Sequence, residues 1–172
     1  SGFAIQTKAH RFAKNIDLEE LYCAKHVKLD RAVLSIGTLG GGNHFIEVDR
    51  DEEGNLYLVI HSGSRHLGVE ICKYYQNAGY QAMSSVSAAE IESVKQEMFR
   101  QGRREDIDDA IKALKENRIY VPKPLAFVEG ELMEQYLHDM KIAQEFAAYS
   151  RKAMIDVIVK GMKLHVEEQF TT

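Results

Sequence analysis

The feature that most constrains this chain is a glycine cluster feeding two short apolar runs that straddle a polar link. Within 35-SIGTLGGGNHF-45, Gly37, Gly40, Gly41 and Gly42 fill four of six successive positions. Such a run permits positive φ and lets the backbone come close to a bound group. The runs 44-HFIEV-48 and 56-LYLVIH-61 flank 49-DRDEEGN-55, which holds a Gly-Asn turn signal. Together they predict an antiparallel hairpin. Symmetric pairing about the link sets His44 opposite His61, Ile46 opposite Val59 and Val48 opposite Tyr57. Opposed side chains share a face with Cβ atoms about 5 Å apart, close enough for two imidazoles to reach one metal centre or two adjacent ones. A slip of one residue would put them on opposite faces.

Helical patterns surround the hairpin. In 15-NIDLEELYCAKHV-27, Ile16, Leu18, Leu21, Tyr22 and Val27 behind an Asn/Asp start predict an amphipathic helix. From Leu67 to about Met83, Val69, Ile71, Cys72 and Tyr75 suit a second. Ser87 and Glu90 form a capping-box signature for a helix running to about Gln101. Residues 104–120 continue with Ile107, Ile111 and Leu114 on one stripe. Eight acidic and six basic side chains between 87 and 117 mark this pair as a solvated helical insertion at 87–118. After Pro122 and Pro124, a long helix from Glu131 to about Met162 carries Met133, Tyr136, Leu137, Met140, Phe146, Ala147, Met154, Ile158 and Met162 as its apolar stripe. The expected fold is α+β: one domain over 1–172, a small antiparallel sheet carrying the hairpin and packed by helices, the longest C-terminal.

Composition narrows the function. The chain has 172 residues, 45% hydrophobic and 28% charged, which is ordinary for a globular domain. No apolar run nears the roughly 18 residues that span a bilayer, so no membrane partner is expected. Cys23 and Cys72 form no CxxC and no paired framework, which points to a reducing, cytoplasmic setting. A net charge of −4 gives no global attraction to nucleic acid. The basic series Lys8, Arg11, Lys14, Lys25, Lys28 and Arg31 is interleaved with Asp17, Glu19, Glu20 and Asp30. A bound polyanion would therefore rely on a local patch or a metal.

The densest chemistry lies in Gly40–Glu47 and His61–Arg65. His44 and His61 offer neutral imidazole nitrogens, common ligands for zinc, manganese and similar ions. Glu47 alternates onto the face away from His44. Arg65, in the glycine-bearing loop SGSR, is placed to grip a phosphate bidentately beside a helix start. His10, His26, His66, His138 and His165 match no ligand position and read as surface or capping residues.

The wording of these segments, SIGTLGGGNHFIEV and VIHSGSRHLG, resembles the RtcB-type RNA-splicing ligases. That family pairs LGTLGxGNHFIE with HSGSR, its histidines seventeen residues apart, as His44 and His61 are here. The stretch LAFVEGELMEQYLHDMKIAQEFAAYSRKAM is similar to the family's YxxDMxxAQ…A…NR helix. The resemblance implies an RNA ligase that uses GTP and manganese and works through a guanylated histidine. It would join RNA 3′-phosphate or 2′,3′-cyclic phosphate ends, from transfer-RNA halves or broken RNA, to 5′-hydroxyl ends. It makes His44 and His61 ligands, one to each of two manganese ions. It places Asn43, His44, Phe45 and Glu47 at the GTP site and Arg65 on phosphate, and leaves room for an activator protein.

The departures define what this chain is expected to lack. The family's upstream Asp and bridging Cys have no counterpart, and Cys23 reads as structural. The metal histidine expected after 170-FTT-172, the guanylated histidine and a late lysine are also missing. Ser150 stands where the family usually has Asn before Arg151. The chain is thus expected to be a central fragment, inactive alone, of a longer ligase. A stand-alone metal-binding module without ligation is the alternative, and a metal-dependent hydrolase lacks a general-base motif such as HExxH.

Overall fold

A computed structural model describes residues 6–117 and 121–170. The fold is α+β, with one two-stranded antiparallel sheet and five α-helices among the described residues. The chain divides into two compact units, Ser1–Cys72 with Gln135–Thr172, and Lys73–Glu134.

The first unit opens with three short 3-10 turns, Arg11–Asn15, Leu18–Glu20 and Ala24–His26, where one helix was expected over 15–27. The cause is a competing partner. The fully buried Asp139 carboxylate accepts the backbone N–H of Tyr22 at 2.9 Å and of Cys23 at 3.1 Å. Asp17 likewise takes the N–H of Glu19. Donors tied to side chains are not available to helix carbonyls, so local propensity yields.

Helix α1, Leu29–Ser35, was not anticipated. It stops where Gly37 adopts φ +78°, the left-handed position that glycine takes at helix ends, with the Thr38 N–H returning to the Ser35 carbonyl. The glycine run leads into β1, Phe45–Arg50, which pairs with β2, Leu56–His61. Helix α2, Arg65–Ser84, begins in this unit. Helix α5, Gly130–Met162, contributes its length from Gln135 onward. Its buried stripe is Ile142, Ala143, Phe146, Ala147, Ala153 and Met154, at helical spacing. Met133, Leu137 and Met162, assigned to that stripe from sequence, are exposed.

The register differs from the symmetric expectation by one residue: Phe45 faces His61, Glu47 faces Val59 and Asp49 faces Tyr57. The turn sets it. Asp51 and Asn55 close a loop of three residues, with the Asp51 N–H on the Asn55 carbonyl at 3.1 Å and Gly54 at φ +94°. Three-residue links with a final left-handed glycine are a standard hairpin solution, and this one fixes every pair behind it.

In the second unit, α3 (Ala88–Arg100) starts with the expected capping box of Ser87 and Glu90. It ends at Gly102, φ +71°, where the N–H groups of Gly102 and Arg103 return to Phe99 and Met98. A 3-10 turn, Arg104–Asp106, precedes α4, Ile107–Glu116. The expected helix over 104–120 is therefore shorter, and its positions 118–120 lie outside the described residues. Gly79 on α2 lies where a Cβ would collide with the Phe127 carbonyl, which permits that close backbone approach.

Candidate functional site

The off-by-one register should separate His44 from His61, yet their rings lie 6.2 Å apart between centroids. His44 precedes β1 and so escapes strand alternation. The site therefore forms at the open end of the hairpin, where the glycine loop before β1 meets the SGSR loop after β2. Phe45 is the true cross-strand partner of His61, and their rings stack at 5.1 Å and 14°. Glu47 follows on the same strand face as Phe45 and His61, while the alternation expected between Glu47 and His44 does not apply, because His44 precedes the strand.

Glycines make the room. A Cβ at Gly40 would run into both the His44 ring and the Arg65 guanidinium, and one at Gly63 would rest 3.6 Å from His44 Cε1. His44 Nδ1 is buried and has no hydrogen-bond partner. A buried ring nitrogen in that condition can take a metal ion or a hydrogen-bond partner. His61 is exposed.

Arg65 completes the constellation. It begins α2 with φ +56°, in a region that side chains rarely occupy. Its Nε donates to Thr38 Oγ1 at 3.2 Å, so it bridges the glycine loop and the SGSR loop. Burial lowers its pKa from the ordinary arginine value. Even so the group stays cationic near neutral pH, and a partly desolvated guanidinium is a strong partner for a phosphate.

Helix α5 supports both loops from one turn. Arg151 Nη1 donates to the Ser62 carbonyl at 3.0 Å, next to His61. Ser150, fully buried, accepts the Gly37 N–H at 3.1 Å. No periodicity in the sequence marks a residue whose work is to bond a loop more than a hundred positions away. Asn43 is exposed beside His44.

Two imidazoles can supply part of a divalent-ion coordination sphere. Among the described residues, no group of three or more His, Cys, Asp or Glu could hold a metal ion. Cys23 stands apart from such chemistry: burial and the neighbouring Asp139 carboxylate push its thiol up to about 12, the opposite of a metal-ligating thiolate.

Comparison with known proteins then places the chain. The family model described as tRNA-splicing ligase RtcB matches residues 2–172. The chain belongs to the RtcB family. It is similar to the RNA-splicing ligase RtcB of Escherichia coli K12, 32% identical over 131 residues, covering 74% of this chain and 24% of that protein. The RNA-splicing ligase RtcB of Mycobacterium tuberculosis is 36% identical over 75 residues, covering 36% of this chain and 17% of its own length. For the tRNA-splicing ligase RtcB of Methanocaldococcus jannaschii the figures are 34% over 73 residues, 34% and 7%. The chain thus spans about a quarter of the first of these relatives. No solved structure matches it. No helix among the described residues is long and apolar enough to cross a membrane.

Proposed function

We propose that this chain supplies the two-histidine part of the active site of an RNA ligase. Membership of the RtcB family supports that class of activity, and the observation that carries the site is the pair of imidazoles, 6.2 Å apart, beside Arg65. In the whole protein the reaction would join an RNA 3′-phosphate or 2′,3′-cyclic phosphate end to a 5′-hydroxyl, with GTP as the activating nucleotide. The guanylated histidine of the family pattern has no counterpart in this chain. Manganese, when bound, would neutralise phosphoryl charge and orient the reacting oxygens.

His44 and His61 would each give one neutral imidazole to a manganese ion. Arg65 would hold a phosphate of the nucleotide or of the RNA end, since its guanidinium is already partly desolvated. Asn43, Phe45 and Glu47 would line the guanylate site; the stacking of Phe45 on His61 keeps that ring from swinging away. The two free cysteines suit a reducing, cytoplasmic setting. RNA ends are the expected macromolecular partner, with an activator protein as a further one.

Titration of the chain with manganese, followed by paramagnetic broadening of its histidine ring signals, tests the ligand assignment. Broadening should centre on His44 and His61, and affinity should be weak, because catalytic sites ordinarily use three protein ligands. Unchanged tight binding in both His44→Ala and His61→Ala would remove the assignment. Activity is read in a chimera in which this chain replaces the matching segment of the E. coli relative. Either substitution should abolish joining of a 2′,3′-cyclic phosphate end to a 5′-hydroxyl end.

A further inference from the structure

The loops bearing the two histidines flank the hairpin on either side, and a single turn of α5 contacts both. Arg151 bonds the Ser62 carbonyl at 3.0 Å, which pins the peptide that follows His61. Ser150 accepts the Gly37 N–H at 3.1 Å, at the start of the turn that leads to Gly40 and His44. Gly37 itself lies against the helix, where an added Cβ would stand 3.0 Å from Ala153 Cβ. The Arg65–Thr38 bond at 3.2 Å ties the two loops directly. Ser62 and Gly37 both belong to irregular backbone, without ladder bonds to fix them. Site geometry must hold within about half an ångström to be productive, and such outer partners typically matter 10–100-fold.

We propose that Ser150 and Arg151 are positioning residues that set the spacing of His44 and His61. Neither touches the reacting groups; each acts through one loop backbone. Arg151 sets the His61 side and Ser150 the His44 side. Because both stand on one rigid helical turn, the two rings move together or not at all. The inference rests on the two-histidine reading for its consequence, but its geometric content does not depend on a metal.

The test uses the 172-residue chain labelled at histidine. In metal-free Arg151→Met and Ser150→Ala that keep the wild-type far-UV circular dichroism, the ring signals of His44 and His61 should shift. Manganese affinity should fall roughly 10–100-fold. Arg151→Lys, which keeps one charged donor, should recover part of both losses. Arg11→Met, which removes a partner of Asp156 on the same helix, should leave both unchanged. Ring signals and affinity identical to wild type in a folded Arg151→Met variant overturn the proposal. Should that variant not fold, Arg151→Lys and Ser150→Ala decide by the same two measurements. Manganese affinity indifferent to His44→Ala and His61→Ala would sink the ligand reading alone, and the metal-free ring signals would still decide the positioning role.

Discussion

At Gly40 a single methyl group would meet two side chains of the candidate site at once. Gly40→Ala should displace the His44 ring and the Arg65 guanidinium, at a cost of about 1–3 kcal/mol from overpacking. Gly42 is the contrasting case: nothing lies within 4 Å of a Cβ there, but its φ of +85° strains any other residue. Gly42→Ala should therefore cost stability through the backbone while leaving the Gly40 cradle free of a clash. Denaturant midpoints read beside the ring signals of His44 separate the two, and equal ring shifts in both variants would refute the distinction. Cys23 gives a second residue-scale expectation. Its folded thiol titrates near 12 against the ordinary value of 9.0, so the native state holds a proton that the unfolded chain releases. Stability from this group is complete below pH 9 and declines as pH rises toward 12, at no more than about 1.4 kcal/mol per pH unit. The slope of unfolding free energy between pH 9 and 11 should be shallower in Cys23→Ala than in the wild type. Identical slopes would mean that the thiol is not held protonated.

The hairpin turn governs register at the scale of elements. Asp51 accepts from the Asn55 side chain, the Asn55 backbone and Tyr57, at 2.8, 2.8 and 3.0 Å. The Asn55 side-chain hydrogen bond leads the forces that hold the Asp51 carboxyl below its ordinary 3.8. A depressed carboxyl stabilises the turn above the unfolded value and lets go as pH falls through the folded one. The Asn55 amide signal should then titrate with a midpoint below 3.8, and a midpoint at or above that value would contradict the turn as described. This turn also shows what could be read from the sequence and what could not. Both strands, the capping box of α3 and the course of α5 follow from local pattern, because each is decided by neighbours in the chain. The register was missed because Gly54-Asn55 signals a turn without saying which residues close it. The helix expected at 15–27 failed for a related reason: Asp139, more than a hundred residues on, takes its donors. The residues of the site were legible as words, but their proximity arises from His44 lying just outside the strand. The support from Ser150 and Arg151 exists only once α5 has docked.

A net charge of −4 over the 172 residues gives no long-range attraction to a polyanion, so under the proposed function capture of an RNA end by this segment would be local, at Arg65 and any bound cation. The matched stretch is also only about a quarter of the E. coli relative, and under the proposed function its two histidines would be part of a site rather than all of one. Nucleotide binding and nucleotide transfer should separate on those grounds. On the proposed reading, binding would need phosphate and base contacts, part of which Arg65, Asn43, Phe45 and Glu47 would give; transfer would need an acceptor imidazole in line with the reacting phosphate. The resemblance to the family pattern gives the acceptor role to none of the histidines here, His10, His26, His66, His138 and His165 included. The chain incubated with α-labelled GTP and manganese should therefore carry no label after denaturation. The chimera with the E. coli relative should be labelled, and should lose the label when His61→Ala is introduced. Covalent label on the isolated chain would show that one of its own histidines accepts guanylate, and would overturn the division of labour drawn here. A chimera that stays unlabelled while folded and manganese-bound would instead place the fault in the fit of this segment to the rest of the enzyme.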